Sequence, residues 1–272
     1  MTVNIERRPI LVTGGTTGIG RETVELLASK GHQVYATVRK DRDFDDLNKI
    51  DNVEAVRLDV TDMDHINKLV EFIRNENKGL FGIVNNSGVT DLIAINEIDD
   101  EDFDYIMKVN LYGPYRITKA LHEFVIESRG RIVNIGSIAG IVTPVLMGAY
   151  SISKHAIEAY TDILALEMEK FEVKVSVIEP GNYKSNIAMS AGRRIQHKFS
   201  KRGTESKYLG ELKELLSTSN ATPDRSQYKE PKPVAEAIYH ALFSENPLPR
   251  YMVVPDEEEG KGTIEQAVKE LV

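Results

Sequence analysis

Short, largely apolar runs recur along the chain at residues 10–12, 34–38, 53–58, 80–84, 131–135, 173–178 and 251–254. Each is too short for a buried helix and reads as a strand. Between them lie longer stretches with apolar residues at helical spacing. The first carries Val24, Leu27 and Ala28 and ends at Lys30-Gly31, and the others span 63–74, 102–126, 149–169 and 233–243. Strands that are apolar throughout and alternate with helices imply a parallel sheet covered on both faces. The prediction is a single α/β domain, a doubly wound, Rossmann-type parallel sheet of about seven strands. One stretch, 181–231, breaks the rhythm: it is long and polar, and such a loop in a compact domain is usually a lid or disordered. It is expected to cover the substrate, with Ile187/Met189 and Leu209/Leu212/Leu215/Leu216 forming helical pieces.

Where the first strand meets the first helix, the chain reads Thr13-Gly14-Gly15-Thr16-Thr17-Gly18-Ile19-Gly20. Glycines there let backbone N–H groups approach a pyrophosphate, whose charge then rests on the helix N-terminus. Gly14, Thr16, Thr17, Gly18, Ile19 and Gly20 are therefore the expected cofactor turn. An NAD enzyme usually carries an acidic residue about 20 positions further on, at the end of the second strand, for the ribose hydroxyl, and an arginine there suits a 2′-phosphate. This chain has Val38 followed by Arg39. A guanidinium matches phosphate in two-point fashion, so NADP(H) is expected over NAD(H). The competing reading is a solvated loop arginine, with Asp41 and Asp43 close enough to weaken a phosphate site.

Tyr-x-x-x-Lys sets a phenol and an ammonium on one helical face. The chain contains that spacing at Tyr115/Lys119, Tyr150/Lys154 and Tyr228/Lys232, so spacing alone does not choose. Pro231 interrupts the last pair. Only Tyr150/Lys154 follows a strand that ends in Gly136-Ser137, at the sheet edge where ligands bind. A free phenol titrates near ~10, and bringing it near ~7 requires about 4 kcal/mol. An ammonium at ~4 Å in an effective dielectric of ~20 supplies energy of that order. Tyr150 would then exchange a proton with a carbonyl or alcohol oxygen held by Ser137.

These residues together resemble the short-chain dehydrogenase/reductase family over nearly the whole chain. The spacing Gly14, Gly18, Gly20 is similar to its cofactor turn, and Asp59-Val60 to its adenine contact. Asn85-Asn86-Ser87-Gly88 resembles its Asn-Asn-Ala-Gly element, with serine in place of alanine. The resemblance implies that Asn110 kinks the fourth helix and, with Ser137, Tyr150 and Lys154, completes a catalytic tetrad. It also implies cofactor contacts from Asn85, Asn86, Gly88, Tyr150, Lys154, Pro180, Gly181, Tyr183 and Ser185, and a homodimer or homotetramer. Val-Tyr-Ala-Thr-Val-Arg at 34–39 and Val-Ser-Val-Ile-Glu-Pro-Gly at 175–181 resemble the hydroxysteroid and retinol dehydrogenase branches. The expected activity is NADP(H)-dependent interconversion of an alcohol and a ketone or aldehyde, on a substrate that is apolar and bulky if it follows those branches. Two alternatives remain: a regulator that senses NADP(H) without turning it over, and a methyltransferase with a glycine-rich cofactor turn. Neither accounts for Ser137, Tyr150 and Lys154 together.

Composition adds exclusions. A net charge of −8 opposes general nucleic-acid binding, which needs a positive face. There is no cysteine, hence no disulfide, thiolate metal site or cysteine nucleophile. The six histidines are scattered, without metal-ligand spacing. Residues 1–9 hold no apolar run long enough for a signal peptide, and none elsewhere approaches the ~20 residues of a membrane span, so a cytoplasmic protein is expected. Arg193, Arg194, His197, Lys198, Lys201, Arg202 and Lys207 form a basic cluster within 181–231. It reads either as a solvated lid face or as a patch closing over an anionic group.

Overall fold

Ile10 and Val12 turn to one face of the sheet and Leu11 to the other, and all three are wholly buried. This alternation is the period-two geometry of a strand with both faces covered. The computed structural model describes residues 8–185, 187, 206–212 and 228–271. Its strands are β1 (Ile10–Val12), β2 (Val34–Val38), β3 (Val53–Arg57), β4 (Gly82–Asn85), β5 (Arg131–Ile135), β6 (Lys174–Pro180) and β7 (Arg250–Val253). They form one seven-stranded sheet in the order β3-β2-β1-β4-β5-β6-β7, parallel throughout. Winding reverses between β1 and β4, and the ends of those strands open the crevice where such sheets take ligands.

Two layers of helices cover the sheet. On one face α1 (Gly18–Ser29) supplies Val24, Leu27 and Ala28, the short α2 (Phe44–Leu47) supplies Leu47, and a later helix supplies Val234, Ile238 and Leu242. On the other, α3 (Met63–Glu76) brings Ile66, Leu69 and Ile73 against Leu11, Tyr35 and Ile83. The Asp62 carboxylate starts α3 by accepting the N–H groups of Asp64 and His65.

The helix expected over 102–126 is two helices. α4 (Asp100–Met107) and α5 (Gly113–Glu127) are joined by a wider turn over Lys108–Tyr112. Wide turns of this kind mark functional positions in helices, and Asn110 sits at the centre of this one. The remaining helices are α6 (Gly148–Met168), α7 (Lys232–Phe243) and α8 (Glu257–Leu271). The apolar pattern did not predict α8, because its sequence is acidic at the start and contains Gly260 and Gly262. Among the described residues, no helix is long and apolar enough to cross a membrane.

Much of the expected lid, including Met189, Leu215, Leu216 and the basic residues from Arg193 to Arg202, lies outside the described residues. Its two ends meet, since the Lys184 N–H donates to Lys229 O at 3.0 Å. A middle piece is fastened to the loop before α4: Ser206 Oγ donates to Glu97 Oε2 at 2.6 Å, and the Lys207 N–H to Glu97 Oε1 at 2.9 Å.

Candidate active site

The glycine turn is built around missing side chains. Gly14 and Gly18 have φ of +68° and +56°, a region that favours glycine. A Cβ on Gly20 would stand 2.2 Å from Gly14 O and 2.4 Å from Asn86 Nδ2, so the first turn of α1 closes onto β1 only with glycine there. Asn86 braces the turn from just past β4, donating its side-chain amide to Thr13 O at 2.8 Å and Gly14 O at 3.1 Å. Thr13 Oγ1 accepts the N–H groups of Asn86 and Ser87. Gly14 N–H is held by Thr37 Oγ1 of β2 at 3.0 Å.

At the start of α1, Thr17 caps with extended backbone and places no side-chain oxygen on the first-turn amides. A helix N-terminus in that condition suits an external anion. Turn, cradle and helix end together fit the pyrophosphate of a dinucleotide. Ser185 closes the far side, its Cβ 3.3 Å from where a Cβ on Gly18 would be.

At the end of β2, Val38 is buried and Arg39 exposed. The two nearby carboxylates are taken by other arginines, Asp41 by Arg57 and Asp43 by Arg42. Arg57 Nη1 also donates to the Arg39 carbonyl at 2.5 Å. Asp59 turns back on its own loop, accepting from Thr61 N and Oγ1, and the Val60 side chain packs against Gly113 of α5. Asn85 also points inward: its amide donates to Asn134 Oδ1 of β5 at 2.8 Å and to Thr118 Oγ1 of α5 at 3.2 Å. Pro180 ends β6, Gly181 N–H donates to Val253 O at 2.8 Å, and Tyr183 is buried.

Beyond the turn, four elements converge. Lys154 on α6 is 5 % exposed; its Nζ donates to Ile135 O at 2.7 Å and lies 5.6 Å from the centre of the Tyr150 ring. Burial pushes the Lys154 amine down to about 8, against an opposing pull from the charge of Glu158. Ser137 is buried just past β5, and its Oγ accepts the Ala139 N–H at 3.1 Å. A Cβ on Gly88 would stand 3.6 Å from Asn110 Oδ1 and 4.0 Å from Lys154 Nζ, so Gly88 lies between Asn110 and the tyrosine–lysine pair.

Asn110 is fully engaged. Its Oδ1 accepts the Val89 N–H at 2.9 Å, and its Nδ2 donates to Val89 O at 2.8 Å and Ser153 Oγ at 2.9 Å. Ser153 in turn donates to Tyr150 O at 2.7 Å. Sequence reasoning missed two of these braces. Ser153 had a readable signal, since it directly precedes Lys154. Asp91, whose carboxylate accepts the Tyr150 N–H, had none, because a loop aspartate has no periodicity to betray it.

The other tyrosine–lysine pairs differ. Lys119 Nζ donates to the Tyr115 hydroxyl at 3.2 Å, but Tyr115 is 41 % exposed on the outside of α5. Tyr228 precedes α7, where Lys232 is the first residue, so no helical face joins them. Among the described residues no cluster of histidine and carboxylates has the form of a metal site.

Residues 8–196 match the family model for short chain dehydrogenases. The mitochondrial D-beta-hydroxybutyrate dehydrogenase of Bos taurus is 32 % identical over 90 % of this chain and 76 % of its own length. Human 17-beta-hydroxysteroid dehydrogenase type 6 is 30 % identical over 91 % of this chain and 81 % of its own. Among solved structures, a short-chain dehydrogenase from Streptomyces avermitilis superposes with a TM-score of 0.78 at 26 % identity, covering 97 % of this chain and 94 % of that one.

Proposed function

The chain belongs to the short-chain dehydrogenase family, as an oxidoreductase of alcohols and their carbonyl counterparts, and on that premise we propose that it works with NADP(H) and uses Tyr150 as its general acid and base. The observation that carries the reading is the burial of Tyr150 and Lys154 together on α6, with Lys154 Nζ bonded to Ile135 O, two residues before the buried Ser137 of a sequence-distant strand end.

A nicotinamide dinucleotide held by the glycine turn and the α1 N-terminus would supply or accept the hydride at the substrate carbon. Tyr150 gives its hydroxyl proton to the carbonyl oxygen in reduction and removes the alcohol proton in oxidation. Lys154, held from below by Ile135 O, provides the positive charge that stabilises a phenolate. Ser137 hydrogen-bonds the substrate oxygen and so fixes the carbon to be reduced. Asn110 holds the α6 backbone through Ser153, which keeps the phenol in register with that oxygen. Gly14, Gly18, Gly20 and the α1 N-terminus hold the pyrophosphate, and Ser185 lies beside that turn.

The preference for NADP(H) is supported by Arg39 at the end of β2, where Val38 leaves no carboxylate for a free ribose, and by the pairing of Asp41 and Asp43 with other arginines. The substrate class is a small-molecule secondary or primary alcohol with its ketone or aldehyde. Ketones, aldehydes and alcohols, including hydroxy acids and steroids, assayed by absorbance of NADPH or NADP⁺ test this directly. No turnover across the panel would overturn the enzymatic reading, and faster turnover with NADH would overturn the cofactor preference.

A further inference from the structure

Behind the site lies a knot of charge that the proposed reaction does not use. Glu158 follows Lys154 by one helical turn on α6, on the same face. Its Oε1 stands 2.6 Å from the point a Cβ on Gly136 would occupy, and 3.3 Å from the same point on Gly140. Gly136 directly follows Ile135, whose carbonyl receives Lys154 Nζ, and directly precedes Ser137. Lys154 therefore bonds the strand end that carries Ser137, and Glu158 packs its buried Oε1, which has no hydrogen-bond donor of its own, against the next residue.

The other oxygen of Glu158 pairs with Arg250 of β7. That guanidinium also reaches Asp162 Oδ2 at 2.6 Å and Glu179 Oε1 of β6 at 3.5 Å. The Glu158 side chain is 13 % exposed, Glu179 6 % and Asp162 57 %. The groups around Glu158 are thus Lys154 and Asp162 from its own helix, Glu179 from β6 and Arg250 from β7. The β5 end offers only backbone. Three carboxyls around one guanidinium, one of them buried and a second mostly so, are strongly disfavoured as three negative charges.

We propose that Glu158 and Glu179 share one proton under the Arg250 guanidinium, and that Glu158, one turn from Lys154 on the same face of α6, acts through its charge to keep the Lys154 ammonium. The proposal rests on the assignment of Tyr150 and Lys154 made above. Burial, then the neighbouring Glu179 charge, pushes the Glu158 carboxyl up to about 8, and burial also raises Glu179. Two such groups titrate as a pair. The range in which the pair loses its shared proton is the one in which buried Lys154 would lose its own. When that proton leaves to solvent, past the partly exposed Arg250, the new carboxylate at Glu158 favours the Lys154 ammonium. The catalytic charge then survives to higher pH than burial alone allows.

The test is a pH titration of Lys154 by NMR in the full chain carrying 13Cε-labelled lysine, with the resonance assigned by its loss in Lys154→Met. In Glu158→Gln, Lys154 should deprotonate about one pH unit below wild type, the size expected for loss of one facing charge. In Glu179→Gln, Glu158 keeps Arg250 to itself and ionises more readily, so Lys154 should titrate no lower than wild type. Infrared titration of the unmodified protein gives a reading that needs no variant: a protonated carboxylic acid band should persist at neutral pH and fade near 8. Equal Lys154 titrations in wild type and Glu158→Gln, equal downward shifts in both variants, or absence of that band each overturn the proposal. The same variants should move the alkaline limb of kcat/KM in parallel, with NADPH affinity unchanged. A wild type without turnover would strike the reaction assigned to the site, and the NMR titration would still decide the carboxyl pair.

Discussion

Asp91 Oδ1 accepts the backbone N–H of Tyr150 at 3.2 Å, from a buried position in the loop after β4. Tyr150 is the third residue of α6, whose own N-cap, Met147, has no side chain able to cap. The carboxylate from a distant loop thus does the work of a local serine or aspartate, and it does so on the residue assigned the proton transfer. Asp91→Ala should cost about 1 kcal/mol of stability, the usual size for a lost cap, which in a chain of this length lowers Tm by roughly 2–4 °C. It should also lower kcat while leaving NADPH affinity intact, because the glycine turn is braced by Asn86 and Thr13. Asp91→Asn keeps an acceptor and should recover most of both losses. Calorimetry and steady-state kinetics on the pair decide; an Asp91→Ala protein that melts and turns over like wild type removes the capping argument.

Tyr150→Phe should reduce kcat by a factor on the order of 10² to 10⁴, the range for loss of a general acid–base group, with cofactor titration unchanged. Tyr115→Phe removes a hydroxyl that accepts from Lys119 on the exposed side of α5 and should leave kinetics at the wild-type level. Substantial turnover by the first variant, or its loss in the second, would reassign the acid.

Those two pairs show how far the sequence can be read. The strand runs, the glycine turn and the parallel order were legible because burial on both faces leaves continuous apolar runs and the turn demands glycine. Choosing Tyr150 over Tyr115 was possible only from context, Ser137 at the end of β5, since the exposed pair has the same spacing and makes the direct lysine–phenol hydrogen bond. The apolar pattern hid the break at Lys108–Tyr112, because Val109, Ile117 and Leu121 keep facing one core across it, and only the family resemblance at Asn110 implied a kink there. Asn85 read as a cofactor contact by position in a motif, and its amide bonds run to Asn134 of β5 and Thr118 of α5. α8 escaped notice because its contribution is polar: Glu259 accepts the Asn182 N–H at 3.1 Å and so fastens the turn after β6. Long-range polar contacts of this kind, like the one from Asp91, leave no period in the chain.

Arg39→Ala should weaken NADPH far more than NADH, because only NADPH carries a phosphate for this guanidinium to meet. With Asp41 held by Arg57, the arginine faces little competition for that anion. A charge-assisted two-point contact corresponds to about 1.5–3 kcal/mol, or roughly ten- to hundredfold in affinity. Fluorescence titration of both cofactors measures it, and equal losses for the two would make Arg39 a bystander. Adding Val38→Asp to that variant should then shift preference toward NADH by meeting the free ribose hydroxyls.

Glu158 also gives folding stability a direction with pH. Its carboxyl, ordinarily near 4.5, is pushed up to about 8 in the folded chain by burial and by Glu179. A raised carboxyl binds its proton more tightly folded than unfolded, so its contribution is fully present below about 4.5 and is lost as pH rises through about 8. Lys154 acts in a different window. Its amine is lowered from 10.5 to about 8, so the cost of burying its charge is present below 8 and is relieved only as pH climbs beyond that. Between about 5 and 8 the two effects separate, and the slope belongs to the carboxyls. Glu158→Gln removes one titrating group while keeping the shape and a hydrogen-bonding head. Relative to that variant, wild type should lose stability steadily from pH 5 to 8 in urea unfolding, and the difference should stop falling above the folded value. Parallel stability curves for the two proteins across that range would mean that Glu158 is ionised throughout, with Arg250 alone balancing its charge.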